Sequence, residues 1–180
     1  MLAGLVVAAA HAGPEVQRSA PREQAALTLA GKRLAIDYGR PAIRGRSIFG
    51  VLVPWDEIWR TGADEASQFS SELDLRFAGV VVPKGKYALF TIPGERGWQL
   101  VLNKVADQWG SFNYEAAQDV VRVPMRFESV SEPIERLSMA LTASGEDAAT
   151  LWIGWEKTVV SASFEVIPEP GPAAAAPPPQ

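Results

Sequence analysis

The chain has 180 residues, 47% of them hydrophobic, and a formal net charge of −4, which allows one domain with tails and a core that folds without metals or crosslinks. The acidic balance and the lack of a basic stripe argue against nucleic acid or an anionic membrane as partner. Cysteine is absent, which excludes disulfides, thiolate nucleophiles, Cys-ligated zinc, iron–sulfur clusters and a lipid-anchored N-terminal cysteine.

Residues 2–10, LAGLVVAAA, form an apolar run too short to span a bilayer as a helix. Ala10-His11-Ala12 follows it with the small-x-small spacing of a signal-peptidase site. The expectation is a signal peptide over 1–12, a mature start at Gly13, and export to the periplasm or the extracellular space. No basic stretch precedes the run, as expected if translation starts further upstream. The competing reading is an apolar tail on a cytosolic protein. His11 is the one histidine, so the mature chain would have neither His nor Cys. Ser-His-Asp and Cys-His machinery and His-based metal sites are then excluded. Catalysis would have to run on carboxylates, Lys, Arg, Tyr or hydroxyls, and a metal would have to be a hard cation such as calcium.

Residues 13–23 contain Pro14 and Pro21 and read as a flexible leader. Runs at 25–30 and 34–38 alternate around Gly31-Lys32 and predict a hairpin. Residues 41–67 then lose regular periodicity, apart from a short extended piece within 48–53 and one turn of helix over 56–60. Strands are expected at 68–71, 73–77 and 80–82. A tight turn at 83–86 leads into the clearest hairpin, 87–92 with 98–103. Residues 104–117 are a second irregular segment. Alternation returns over 119–130, where Val121, Val123, Met125 and Phe127 share a face, and continues at 135–143, 150–156 and 158–167. The Pro/Ala-rich tail, 168–180, is expected to be disordered or polyproline-like. No internal repeat and no helix-period run is present. The pattern predicts an all-β fold: one domain over 24–167, an antiparallel β-sandwich or jelly-roll-like barrel of about ten short strands.

Candidate site residues concentrate in the two irregular segments. Arg44-Gly45-Arg46 can grip a carboxylate or phosphate, with Gly45 allowing close backbone approach. The competing reading is an ion pair to Asp56, Asp64 or Glu65 that pins the loop. Trp59 beside Arg60 offers a platform for a sugar or amine, although a tryptophan in a sandwich is more often a core plug. Asp64, Glu65, Glu72 and Asp74 are the densest carboxylates, suited to glycoside chemistry or calcium; solvated loop acids are the blander alternative. Phosphate-loop and dinucleotide fingerprints are absent.

The ordered blocks RGRSIFG (44–50), WRTGA (59–63), PKGKYALFTIP (83–93) and WGSFNY (109–114) resemble the DUF2911 family, bacterial and mostly exported proteins of uncharacterised function. The resemblance covers about residues 25–165. Asp64 stands where that family usually has Asn, and Ser67 where Thr is common. The resemblance implies export and an all-β domain, and it supplies no catalytic residue. It also suggests that the two irregular segments form one feature. The expectation is a non-catalytic module that binds a polar or anionic small molecule or a glycan through Arg44, Arg46, Trp59, Arg60, Asp64, Trp109 and Tyr114. No catalytic residue, metal ligand or cofactor is assigned. One alternative is a carboxylate-dependent glycan hydrolase. The other is a structural or protein-interaction domain whose Arg/Trp motif stabilises the fold.

Overall fold

Period-two alternation along the chain becomes nine antiparallel strands. The computed structural model describes residues 17–168. The expected signal peptide, and the expected tail apart from Pro168, lie outside the described residues. Strands β1 (Arg22–Leu29) and β2 (Lys32–Gly39) form the first hairpin. Ala30 and Gly31, with φ of 47° and 72°, supply a turn matched to strand twist. Five short strands follow: β3 (Ser67–Ser71), β4 (Leu75–Phe77), β5 (Val80–Val82), β6 (Gly85–Ile92) and β7 (Trp98–Asn103). Two long ones close the domain, β8 (Asp119–Ala143) and β9 (Ala148–Val166).

The sheet order is β1-β2-β3-β6-β7-β8-β9-β4-β5, with β1 and β5 as edges, so it does not close into a barrel. It folds over on itself instead. The first part of β8 pairs with β7, and from Arg126 onward β8 pairs with β9. The far part of β8 then meets the end of β2. Met139 N donates to the Tyr38 hydroxyl at 3.1 Å, Ile43 N to Glu135 O at 2.8 Å and Leu137 N to Pro41 O at 2.9 Å. Two layers thus face each other across one core, in which Phe69, Phe77 and Phe164 meet ring to ring.

Nine strands replace the expected ten, and two are long rather than short. The alternating runs at 119–130 and 135–143 are one strand, because the register shifts between Ser129 and Ile134. Pro133 falls inside that bulge, where no ladder donor is required. The runs at 150–156 and 158–167 likewise join through Glu156, at a φ of 55°. The helical turn expected over 56–60 does not form. Trp59 instead exchanges both backbone hydrogen bonds with Thr91 on β6, at 2.8 and 3.0 Å. Among the described residues the helical content is one 3-10 turn, Ala116–Gln118. The leader expected to be flexible is anchored from Arg18, through bonds described below.

The loop between β2 and β3 returns its backbone tightly onto β2. A methyl group added at Gly39 would sit 2.3 Å from Ala63 O. We expect Gly39→Ala to destabilise the domain by about 1–3 kcal/mol through overpacking, read as a lower urea midpoint with an unchanged m-value.

Candidate functional site

Residues 40–66 are held down by rings rather than by a ladder. Trp59 stacks on Trp155 of β9, with centroids 5.9 Å apart and planes 12° from parallel. Phe49 packs edge-on against Trp98 of β7 at 4.9 Å and against Trp59 at 5.9 Å, and stacks on Trp55 at 6.0 Å. Trp59 is buried, so it is a core plug and not an open platform. Four non-glycine residues of the loop have left-handed backbone: Arg44, Asp56, Thr61 and Asp64. Thr61 is the costly one, because a β-branched side chain is a true outlier there. Its fully buried hydroxyl donates to Trp59 O at 3.1 Å and lies 3.0 Å from the Thr91 hydroxyl. This fixes the turn that separates Arg60 from Gly62. Gly45 has φ 71° with open space around it, so it serves backbone conformation and not close approach.

Over this loop lies a cavity of about 400 Å³. Five arginines line it: Arg40, Arg44, Arg46, Arg60 and Arg136. Among its described lining residues Glu57 is the one carboxylate. Arg40 is neutralised by Glu23 at 2.6 Å and also donates to Leu137 O. Arg46 donates to Ile43 O at 3.0 Å and Ala42 O at 2.7 Å, clamping its own loop. The guanidiniums of Arg44, Arg60 and Arg136 have no protein acceptor among the described residues. Two buried donors in the lining also lack one: Arg60 Nε and Trp155 Nε1. A buried N–H without an acceptor costs about 1–3 kcal/mol, so the arrangement calls for a physical reason.

Of the seven residues expected to bind, Arg44, Arg46, Trp59 and Arg60 line this cavity, and Asp64, Trp109 and Tyr114 do not. Asp64 accepts bonds from Ser19 N (2.9 Å), the Ser19 hydroxyl (2.8 Å) and Ala20 N (3.2 Å). Its work is to seat the N-terminal segment, so that Ser19, Ala20 and Pro21 become one wall. Glu65 pairs with Arg18 at 2.8 Å and Arg22 at 3.1 Å; Arg22 also grips Asp37. The Arg18 hydrogen bond is the main cause holding the Glu65 carboxyl below its ordinary range. Trp109 is 47% exposed. Its segment docks on the first, with Gly110 N donating to Asp64 O at 3.0 Å, and contributes Ser111 to the lining. Tyr114 sits on a separate cluster, edge-on to Phe90 at 5.2 Å. It donates to Asp119 at 2.6 Å, and Arg122 donates to its oxygen. Burial first, and Asp119 second, push its phenol up to about 12, far from any proton-transfer role at neutral pH.

Arg40, Arg136, Ser111 and Trp155 were not legible as site residues. Arg136 reads locally as an outward residue of an alternating strand, and only the Ala42–Arg136 bridge brings it to the loop. Glycoside chemistry needs two facing acids, one with a raised pKa. The cavity offers Glu57 alone, and Glu65 is shifted the opposite way. Among the described residues no three His, Cys, Asp or Glu side chains gather as metal ligands.

The family model described as "Protein of unknown function (DUF2911)" matches residues 20–164. The chain belongs to this family. The matched span contains the whole cavity lining except Ser19. No curated protein and no solved structure gives a significant match.

Two titrations follow. The lowered Glu65 pKa adds stability that is present above pH 4.5, its ordinary value, and is lost as pH falls below it. Melting temperature should therefore drop on acidification through that range, and Glu65→Gln should flatten the drop. In an ultraviolet titration, Tyr114→Phe should remove a phenol transition near pH 12, and Asp119→Asn should move that transition down.

Proposed function

We propose that the protein is a non-catalytic binding module for a small anionic molecule, taken up in the arginine-lined cavity and working outside the cytoplasm. The observation that carries this reading is the pair of buried donors without acceptors, Arg60 Nε and Trp155 Nε1, set beside the Arg44 and Arg136 guanidiniums, which no carboxylate among the described residues neutralises. Guanidinium forks suit carboxylate and phosphate groups. The cavity volume lies within the usual range for small-molecule sites. An anion is favoured over a neutral glycan because the Trp59 and Trp155 faces are stacked on each other and offer a sugar no open platform. The backbone strain at Thr61 adds support, since such strain collects at ligand-binding turns. Export rests on the apolar run and cleavage pattern of residues 2–12.

A second reading has its own observation. Arg46 spends its donors on loop carbonyls, as a fold-stabilising motif would. The two readings separate by mutation. Arg60→Met removes an unpartnered donor, so melting temperature should hold or rise while anion affinity falls about 10–100-fold, the worth of a charged hydrogen bond. Arg46→Ala should lower melting temperature. Calorimetry with phosphate, sulfate, acetate and citrate checks the first outcome. Binding of none of these, or unchanged binding by Arg60→Met, would overturn the proposal. Fractionation with N-terminal sequencing checks export, with Gly13 as the expected first residue.

A further inference from the structure

The exposed apolar side chains of this protein are unevenly placed. Eight large ones are exposed among the described residues, and five of them, Val51, Leu52, Val105, Trp109 and Phe112, come from the two irregular segments that meet at the cavity. Leu52, 47% exposed, is itself part of the lining. Phe112, 82% exposed, follows the lining residue Ser111. Its ring lies over Gly110 beside Arg60: a methyl group on Gly110 would meet the ring at 3.0 Å and Arg60 Nη1 at 3.9 Å. An aromatic edge thus stands in solvent next to an unneutralised guanidinium. Leu52 and Phe112 are the two of these set against the recess, and apolar side chains exposed against a polar recess mark a contact surface. An inorganic anion would use the recess and leave this mouth untouched. A molecule with a charged head and an apolar body uses both.

We propose that the ligand is a single-chain amphiphile, with its anionic head among Arg44, Arg60 and Arg136 and its hydrocarbon chain along Leu52 and Phe112. This deepens the anion reading and rests on it. The charge pattern fits a dispersed molecule better than a bilayer, because the chain as a whole is acidic at −4 and the cations are gathered in a recess.

The test compares acetate with decanoate, followed by amide NMR shifts of the mature full-length protein. Decanoate should bind at least tenfold tighter, since burial of two methylenes suffices for roughly that gain. Phe112→Ser should weaken decanoate severalfold and leave acetate unchanged, and Leu52→Ser should weaken decanoate more than acetate. Their exposure makes both changes safe for the fold. Arg60→Met should weaken both ligands. If acetate binds and decanoate binds no tighter, the amphiphile is wrong and the anion site stands. If neither binds, the amphiphile is wrong, and the anion reading falls with it when phosphate, sulfate and citrate also fail to bind. Tighter decanoate binding that ignores Phe112 and Leu52 would also overturn the proposal, as would sedimentation with phosphatidylglycerol vesicles without decanoate binding.

Discussion

The stack of Trp59 on Trp155 is the contact on which the rest depends. Trp59 belongs to the irregular loop and Trp155 to β9, and Phe49 and Trp98 close around them from the loop and β7. Such ring pairs add about 0.5–1.5 kcal/mol each beyond the area they bury. They locate the loop without a continuous ladder. The backbone between them is therefore free to adopt left-handed turns at Arg44, Asp56, Thr61 and Asp64, which regular pairing would forbid. Those turns place guanidiniums over a floor of indoles.

The Arg44, Arg60 and Arg136 guanidiniums remain unneutralised because the nearby acids are engaged elsewhere. Asp64 and Glu65 are next in the chain to the cavity residues, yet both turn toward the N-terminal segment. Ser19 and Ala20 satisfy the first, and Arg18 and Arg22 the second. Among the described residues Arg40 alone of the cavity arginines pairs its guanidinium with a carboxylate, Glu23, while Glu135 accepts from the backbone N–H of Arg44 at 3.0 Å. Opposite charges are thus sorted to two sides of one loop. The acidic side fastens the chain, and the basic side faces the recess.

Much of the fold was legible in alternation. The hairpin of β6 and β7 lies where the pattern placed it, and Val121, Val123 and Met125 are buried on one face as the period requires. Phe127 continues that face by spacing but is 52% exposed, because β8 by then has left β7 for β9. Strand lengths were not legible: Pro133 looks like a terminator, and only a bulge in the partner register reveals that it is not. The same limit applies to the site. Arg44, Arg46 and Arg60 stand out because they crowd one irregular stretch. Arg136 and Trp155 are ordinary strand residues until tertiary packing sets them beside that stretch. Asp64 and Tyr114 share the stretches without sharing the cavity, since spacing gives proximity along the chain and not direction in space.

The length of β8 has a consequence for how the molecule comes apart. Its 25 residues serve both layers, pairing first with β7 and then with β9. Neither layer can shed its ladder without stripping an interior partner from the other. The hydrogen-exchange hierarchy should then lack an early-opening half: β7, β8 and β9 exchange as one cooperative unit. Among the strands, local opening should be greatest at the edges, β1 and the short β5.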